Sequence, residues 1–494
     1  MSTTQQSRSL RPNATSPGGG PHDPSGAHVA ARTPYDILLT AMLIAFGVAL
    51  NHSSVILGFN LSLADPVAIL LTLTLLASRR LLIPPAPLLF FLLLSIHQLV
   101  VALFVSPRWT NTELPITTIA SDYTKLAATF LCLLLGIQIV RAGRTRLVLR
   151  AYITGSVAVS SIAVASIALP TLMTVGDLFY GGFRFQGFTN DPNYFAVMTV
   201  AALAALWFDP GIRPHLRVVA SAILIGGVLL SASKTGALAL ALLATWRLLG
   251  LRRAQKGAAR PSRVMASIAA LSAMAIGLLL LPGTGAGAAL AEFASRTPAL
   301  NRLVPLITDF DSAVGASGSE RGDAWDVALA VIALSPALGV GVGTYLTVAN
   351  EVTGIPMLAH NTYLQVSAEW GLILAIVFFV WLARHTFLRP LEISHRAAWA
   401  ISSNALLVLL VGSLGLSLNY SRLFWVLLGA TVATHLLSQA TLSSCKGAAP
   451  KTLPSTSDPL DLDASHPCHP HLASREPRRH RHEHPVEAVH ETHP

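Results

Sequence analysis

Two segments decide the fold: SERGDAWDVALAVIALSPALGVGVGTY (residues 319–345) and LAHNTYLQVSAEWG (residues 358–371). They lie in a long polar stretch, from about Pro282 to Glu369, of a chain that is otherwise strongly apolar. Loops of this length are usually functional or disordered, and this one has the apolar periodicity of an ordered element. Its arginines and His360 therefore indicate that an anionic ligand is held at one membrane surface.

The composition of the chain is that of an integral membrane protein. Of the 494 residues, 52% are hydrophobic and only 12% are charged, and the mean hydropathy is +0.58. A helix needs about 17 to 25 apolar residues to cross a bilayer, and runs of this kind predict about twelve transmembrane helices. The predicted spans are residues 35–51, 62–78, 81–105, 119–140, 147–169, 191–208, 216–231, 235–250, 263–281, 366–388, 398–418 and 422–438.

The placement of lysine and arginine predicts the orientation of these helices, because cationic loops resist translocation. With the N-terminus inside, the cytoplasmic connections carry Arg79-Arg80, Arg141 to Arg146, Arg213 with Arg217, Arg247 to Arg263, and Arg389 with Arg396. The opposite short loops are almost free of charge. The protein is thus predicted to be a multi-pass protein of the bacterial cytoplasmic (inner) membrane, with both termini cytoplasmic.

The same reasoning divides the chain into five regions. Residues 1–34 and 439–494 are predicted to be disordered cytoplasmic tails, because they are rich in proline, glycine, histidine and charge. Two interpretations of the second tail remain open. Either it binds a transition metal or anionic lipid headgroups weakly, or it is solvated and binds no specific ligand. Residues 35–281 hold helices 1–9, residues 282–365 form a large extracytoplasmic loop with short helices, and residues 366–438 hold helices 10–12. Three cysteines, Cys132, Cys445 and Cys468, do not make a disulfide framework.

Two cations in the outward loops break the pattern of charge. Arg184 lies in an outward loop, and Lys234 lies in SASKTG (residues 231–236), an outward turn only a few residues long. Lysine and arginine are normally enriched in cytoplasmic loops, so a lysine in so short an outward turn is unfavourable for insertion. Its presence there indicates that the residue has a function. Arg296, Arg302 and Arg321 are weaker anomalies, because long loops are translocated regardless of charge. The alternative is that these groups only reach toward lipid headgroups.

Familiar nucleotide-binding motifs are absent. SASKTG is not a phosphate-binding P-loop, since Ser233 and Val228 stand where glycines are needed and no strand precedes it. GVGVG (residues 339–343) lacks the third glycine of a dinucleotide fingerprint and predicts a tight turn after a helix that ends at Ser335-Pro336. No nucleic acid is predicted as a partner.

Four blocks together resemble the O-antigen ligase and polymerase superfamily of polytopic membrane proteins. The family has an Arg a few positions before a Trp, which corresponds to Arg321 and Trp325, and a Pro-x-x-Gly-x-Gly turn, which corresponds to Pro336, Gly339 and Gly341. It also has His-Asn-x-x-Leu, which corresponds to His360, Asn361 and Leu364, and Glu-x-Gly, which corresponds to Glu369 and Gly371. RFQGFTNDPNYFA (residues 184–196) and SASKTGALALAL (residues 231–242) resemble two upstream blocks, with Lys234 where the family has arginine. The resemblance covers residues 180–385 and implies an all-α integral membrane protein with a GT-C-like glycosyltransferase fold.

The family implies a chemistry that these residues suit. Its members transfer a glycan from an undecaprenyl-diphosphate carrier to an acceptor outside the cytoplasmic membrane, in lipopolysaccharide and other cell-envelope polysaccharide biosynthesis. Arg184, Lys234 and Arg321 are the expected ligands of the diphosphate, because charge-assisted contacts stabilise phosphate oxygens. This role of cations predicts a metal-independent enzyme without a cofactor. His360 is the expected catalytic base, since imidazole accepts a proton near neutral pH, and Glu369 is the second candidate.

Asn193, Trp325 and Asn361 are expected to bind the substrate. Asn193 and its neighbours Asn190 and Asp191 have an alternative role as helix caps. The expected partners are the lipid-linked glycan donor, a lipid or glycan acceptor such as lipid A–core, and membrane lipids.

Three functions remain open on the sequence. The first is a ligase that attaches a finished glycan to its acceptor, and the second is a polymerase that joins repeat units still bound to the carrier. The two share a donor and differ in the acceptor. The third is a secondary transporter, which is disfavoured because few ionisable residues lie in the middle of the predicted spans.

Overall fold

The computed structural model describes residues 33–53, 62–110, 116–174, 176–255, 284–295, 298–309 and 320–447, with isolated positions between 265 and 280. Most of the two predicted tails and most of the predicted span 263–281 lie outside these residues, as does Arg296. Residues 439–447, predicted as the start of the second tail, are helical. The other predicted spans fall within the described ranges.

The described part of the chain is almost entirely helical, as predicted for an all-α protein. Its first part forms α1 (Pro34–Ala49), α2 (Ala64–Ala77), α3 (Pro85–Val100), α4 (Ile116–Arg141), α5 (Thr145–Ala168), α6 (Pro192–Phe208), α7 (Pro214–Leu230) and α8 (Lys234–Gln255). A π-helical turn (Val101–Val105) and a 3₁₀ turn (Ser106–Trp109) extend α3. Between α5 and α6 the chain forms 3₁₀ turns and an antiparallel pair of two-residue strands, β1 (Phe179–Tyr180) and β2 (Arg184–Phe185).

The long loop and the C-terminal part are also helical. They form α9 (Gly285–Ser295), α10 (Pro298–Asn301), α11 (Pro305–Thr308), α12 (Glu320–Leu334), α13 (Tyr345–Thr353), α14 (Thr362–Trp370), α15 (Leu372–Phe387), α16 (Ile393–Gly412) and α17 (Arg422–Gly447). The predicted short helices of the loop are therefore present. Proline in the first turn and a side-chain cap explain where several helices begin, because proline lacks a donor that this turn would leave unpaired. Thr33 caps α1 in this way.

Several helices have the length and apolarity of membrane spans. Within the described ranges four helices meet both criteria, namely Pro85–Trp109, Ile116–Arg141, Thr145–Ala168 and Arg422–Thr441, and five shorter helices there are also apolar. α3 and α15 expose Leu93, Ile96, Ile373 and Val380 by 60% or more, as a lipid-facing surface requires. These helices are those of a membrane protein, whereas the number of twelve spans, the GT-C-like fold and the orientation stay predictions.

A continuous apolar core joins most of the helices, and one ion pair crosses it. α17 packs along α4, and α16 packs along α6 and α17. At the start of α17, Arg422 donates through Nε and Nη2 to the two carboxylate oxygens of Asp65, at 2.8 and 2.7 Å. Both residues are largely buried, and such a two-bond contact fixes geometry as well as charge. The pair therefore ties the start of α17 to the start of α2.

The end of the long loop has an apolar core of its own. Residues of α12, α13 and α14 form it, among them Val331, Tyr345, Val348 and Ala368. This confirms the prediction that the segment is ordered.

The predicted span 366–388 is not one helix. The chain breaks at Gly371, whose φ of +80° lies in the left-handed region. Leu372 begins α15 by donating its N–H to Pro336 O at 2.7 Å. Glu369 thus lies on the separate short helix α14 and not on the apolar helix α15.

Candidate functional site

Arg184 is held against the turn that joins α7 to α8. It is only 5% exposed, and its Nε donates to the carbonyl of Ser231 at 3.3 Å. Its guanidinium also donates to Asn193 Oδ1 at 3.2 Å and lies 5.8 Å from the centre of the Tyr180 ring. These contacts are all with uncharged groups, so the positive charge of Arg184 is positioned but not neutralised.

Arg321 meets the other end of the same turn. From the first turn of α12, its Nη2 donates to Thr235 Oγ1 at 3.2 Å. Lys234 lies between the two contact points and begins α8, whose first turn is capped by a hydrogen bond from Gly236 N to Ser233 Oγ at 3.0 Å. We call Ser231–Thr235, with Arg184 and Arg321, the cationic turn. The three cations expected to bind diphosphate therefore lie together.

A fourth cation adds to this group. The charge of Arg302, which precedes α11, acts on all three of the others. Burial lowers the pKa of Lys234, and the charges of Arg302 and Arg321 lower it further. Burial also lowers the pKa of Arg321, whereas the negative charge of Asp191 raises it. Like charges held together disfavour the protonated form, so an anion bound among them would be stabilised.

No carboxylate of the described residues forms an ion pair with Arg184 or Arg321. The cationic turn also lies at the N-terminus of a long helix, where backbone N–H groups and the helix dipole favour negative charge. Its arrangement is that of a binding site for an anionic group such as a diphosphate.

Asn193 and Asp191 support the cationic turn from the start of α6. Asp191 is the cap of this helix, since its Oδ1 accepts a hydrogen bond from Asn193 N at 2.6 Å. The capping role considered for this group of residues thus falls on Asp191. The side-chain oxygen of Asn193 accepts from Arg184 instead, which makes Asn193 a residue that orients the guanidinium.

His360 has an unusual backbone conformation. Its φ of +46° lies in the left-handed region, which few residues other than glycine adopt. Within the described part of the chain, its ring has no hydrogen-bonding partner, and it is half-buried. Strain of this kind, held by the surrounding structure, is found most often at functional sites.

Asn361, which follows, is the cap of α14. Its Oδ1 accepts from the N–H groups of Tyr363 and Leu364, at 2.9 and 3.2 Å. The side-chain oxygen of Asn361 is therefore assigned to the helix. As the cap, Asn361 fixes the backbone next to His360, and its expected role in substrate binding stays a prediction.

Glu369 is buried near the end of α14 and is part of a hydrogen-bonded chain. Gln365 Nε2 donates to Glu369 Oε1 at 2.6 Å, and Gln365 Oε1 accepts from Ala359 N at 3.2 Å. The hydroxyl of Tyr420 lies 3.4 Å from the other oxygen. Burial raises the pKa of Glu369 to about 8, although the hydrogen bond from Gln365 acts against it. At neutral pH the group is mostly protonated, which makes it a poorer base than the sequence suggests.

The loop between α16 and α17 separates Glu369 from the cationic turn. Thr362 holds this loop, because its N–H donates to Ser413 O at 2.8 Å and its hydroxyl donates to Leu416 O at 2.7 Å. Gly415, on one side, packs against Thr235 and Arg321. Tyr420, on the other side, meets Glu369. One short loop thus contacts both groups of functional residues.

Trp325 lies one turn after Arg321 on α12. Its indole Nε1 is buried and has no hydrogen-bond partner in the described part of the chain. A buried donor of this kind is costly unless a ligand accepts from it. This position agrees with the expected role in substrate binding, which stays a prediction.

The sequence missed four contributors to this region. Arg302 was noted only as a weak anomaly, and Gln365, Tyr420 and the loop from Ser413 to Ser421 were not assigned a role. The polar run SLGLSLNYSR (residues 413–422) between two apolar helices was the available signal for the loop. The structure does not bring His360 into direct contact with Arg184, Arg321 or Glu369. It connects His360 to Glu369 through Ala359 and Gln365.

Comparison with known proteins identifies a family for part of the chain. Residues 219–379 match a family described as O-antigen ligase. The match runs from α7 into α15, so it includes Lys234, Arg302, Arg321, His360 and Glu369, whereas Arg184 precedes it. No curated protein matches the chain. By this match, residues 219–379 form a region of the O-antigen ligase family.

Proposed function

We propose that the protein transfers a glycan from an undecaprenyl-diphosphate carrier to a lipid A–core or similar acceptor on the outer side of the cytoplasmic membrane. The single observation that carries the proposal is the cationic turn. It gathers Arg184, Lys234 and Arg321 from three separate parts of the chain, and the charge of Arg302 acts on all three. The family match supports a ligase or polymerase role in polysaccharide synthesis and disfavours a transporter.

The cationic turn binds the diphosphate of the donor. A glycan leaves the carrier when the bond between its anomeric carbon and the phosphate oxygen breaks, and negative charge then grows on the diphosphate. Guanidinium groups form paired hydrogen bonds with phosphate oxygens, and in a partly dry site these are stronger than in water. Arg184 and Arg321 stabilise this charge, and Lys234 and Arg302 add to the positive potential.

His360 acts on the acceptor. Its imidazole takes the proton of the acceptor hydroxyl as the hydroxyl oxygen forms a bond with the anomeric carbon. Undecaprenyl diphosphate is the leaving group, and the proton of the hydroxyl ends on His360. Asn361 and Gln365 position this residue through the cap of α14 and the hydrogen bond to Ala359 N. Positively charged side chains supply the charge stabilisation, so the reaction is proposed to proceed without a divalent metal.

The test is glycan transfer in a strain that lacks the gene and carries variants of Arg321. Arg321→Ala should reduce transfer by about 10²- to 10³-fold, the loss typical of one preorganised donor. Arg321→Lys keeps the charge but loses the planar two-bond geometry, so it should also be impaired. Arg108→Ala is the matched control, because Arg108 is an exposed arginine on the same predicted membrane side and lies outside the cationic turn.

The outcome decides between the alternatives. Parental transfer by Arg321→Ala at normal abundance would refute the phosphate role of this residue. A strict requirement for a divalent metal, seen as loss of transfer in chelator, would refute the proposed charge stabilisation. Accumulation of carrier-linked polymer in the deletion strain indicates a ligase, and accumulation of single repeat units indicates a polymerase.

A further inference from the structure

A cavity lies beside the loop between α16 and α17, on the side away from the cationic turn. It has a volume of about 610 Å³, and its wall includes Asp122, Lys125, Tyr345, Gln365, Glu369 and Ser417. This volume is within the range of about 300 to 1,000 Å³ that is typical of small-molecule sites. We call it the Glu369 cavity. Its wall comes from α4, α13, α14, the segments that precede α13 and α14, and the loop between α16 and α17.

The charges in this wall cancel. Lys125 Nζ and Asp122 Oδ1 form an ion pair at 2.6 Å. Glu369, the remaining carboxyl group in the wall, is mostly protonated at neutral pH because burial raises its pKa to about 8. The wall of the Glu369 cavity therefore has no strong net charge, and the cavity does not suit a diphosphate.

Two hydroxyl groups in the wall lack protein partners. Tyr345 is 2% exposed, and neither its hydroxyl nor that of Ser417 has a hydrogen-bond partner in the described part of the chain. A buried hydroxyl without a partner is costly, so two such groups at one cavity point to a ligand that hydrogen-bonds to them. Together with the Gln365–Glu369 pair, they form a set of donors and acceptors around a neutral space.

A second, smaller cavity lies next to the Glu369 cavity. Its volume is about 210 Å³, and it shares Lys125, Ser417 and Tyr420 with the Glu369 cavity and is lined further by Asp191. Asp191 caps α6 directly beside Asn193, the partner of Arg184. The smaller cavity thus has wall residues in common with the Glu369 cavity and also includes the residue that caps the helix of Asn193.

We propose that the Glu369 cavity binds an uncharged, hydroxyl-rich saccharide of the acceptor through Tyr345, Ser417, Gln365 and Glu369. A transferase that joins two large substrates needs separate sites on either side of the bond that forms, and the loop from Ser413 to Ser421 supplies the partition. The identification of the saccharide as acceptor rests on the proposed function. The saccharide site itself rests on the cavity and its unpartnered hydroxyls.

The test measures saccharide binding directly, apart from transfer. The probe is dephosphorylated outer-core oligosaccharide, released from the lipopolysaccharide of a deletion strain and added to the full-length protein in lipid nanodiscs. Saturation-transfer NMR gives its affinity. Tyr345→Phe and Ser417→Ala should each weaken binding by about tenfold, equivalent to one lost hydrogen bond. Inorganic diphosphate should not displace the saccharide.

Ser413→Ala is the matched control. Its hydroxyl is also buried without a partner in the described part of the chain, and it lies in the same loop but outside the wall of the Glu369 cavity. The control should bind like the parental protein, and thermal unfolding midpoints verify that each variant is folded. Equal binding by the parental protein and both variants, absence of binding, or displacement by diphosphate would overturn the proposal. Saccharide binding without transfer would refute the proposed function and leave this site standing.

Discussion

Among the single residues, His360 combines a strained backbone with an imidazole that is half-buried and positioned beside the cap of α14. A positioned base contributes about 10²- to 10⁴-fold to rate, so His360→Ala should lose most transfer while the protein still retains the lipid-linked donor. His360→Gln keeps hydrogen bonding but not basicity, and it should be impaired nearly as much. Transfer rates with purified protein, and donor retention during purification, are the measurements. His395→Gln, on the opposite predicted membrane face, is the control.

Near-parental activity of His360→Gln would exclude general-base chemistry and leave only a positioning role for His360. Glu369 would then be the remaining candidate base, although its protonation at neutral pH argues against it.

Glu369 should make stability depend on pH. Burial raises its pKa from 4.5 in the unfolded chain to about 8 in the fold, so the folded state holds the proton more tightly. Its contribution to stability is complete below about pH 4.5, declines as the pH rises, and is lost above about pH 8. Asp122 and Tyr420 face it together with Lys125, and of these charges Asp122 opposes ionisation and Lys125 favours it.

The measurement is the thermal unfolding midpoint of the parental protein and of Glu369→Gln between pH 5 and pH 9. The variant lacks this titration, so the parental midpoint should fall relative to that of the variant as the pH rises. A difference between the two that does not change with pH would show that Glu369 is already ionised in the fold.

The sequence predicts the role of a residue when that role depends on its local position in the chain. It does not predict a role that depends on contacts between residues far apart in the sequence. Arg184, Lys234 and Arg321 were recognisable, because a cation in an outward loop is anomalous by its position in the chain alone. Arg302 was not, since its effect arises only when the fold of the long loop carries it to the turn before α8. The contact of Tyr420 with Glu369 joins positions 51 residues apart, and no local pattern encodes it.

Among the helices and turns, the glycines of the GVGVG segment permit close packing against α14. Val340 N and Gly341 N donate to Ala368 O and Glu369 O, at 2.9 and 3.0 Å. The predicted tight turn after Pro336 is present, but the segment also serves as a contact surface. A side chain at Gly339 would overlap the carbonyl of Glu369 and the N–H of Gly371. Periodicity alone did not predict this contact or the break at Gly371, because both depend on the partner segment.

Gly339→Ala should therefore lower the free energy of unfolding by more than backbone strain alone would. Gly354 provides a matched control, since both glycines have a φ of +72° but a side chain at Gly354 would meet open space. Strain costs about 1 to 3 kcal/mol at either position, and only Gly339→Ala adds a steric clash. The unfolding midpoint of Gly339→Ala should fall well below that of Gly354→Ala. Equal midpoints would show that α14 does not require this close approach.

For the protein as a complete fold, composition and hydropathy predicted the helical class and most of the long apolar helices between residues 35 and 250 to within a few residues. They did so because the apolar runs are long and their ends carry polar or proline residues. The arrangement of the helices could not be predicted in the same way. It depends on pairings such as Asp65 with Arg422, which join the second described helix to the last one.

The predicted orientation places the cationic turn and the Glu369 cavity on the outer side of the membrane. Single cysteines at Asp323 and Ser394, both exposed positions, test it in a background without the native cysteines Cys132, Cys445 and Cys468. Asp323 lies near Arg321 on α12, and Ser394 lies in the first turn of α16, within the predicted cytoplasmic connection. An impermeant thiol reagent applied to intact spheroplasts should label position 323 and not position 394, and both should be labelled after lysis. Labelling of position 394 alone in intact spheroplasts would place the cationic turn in the cytoplasm, where a glycan ligase could not meet its acceptor.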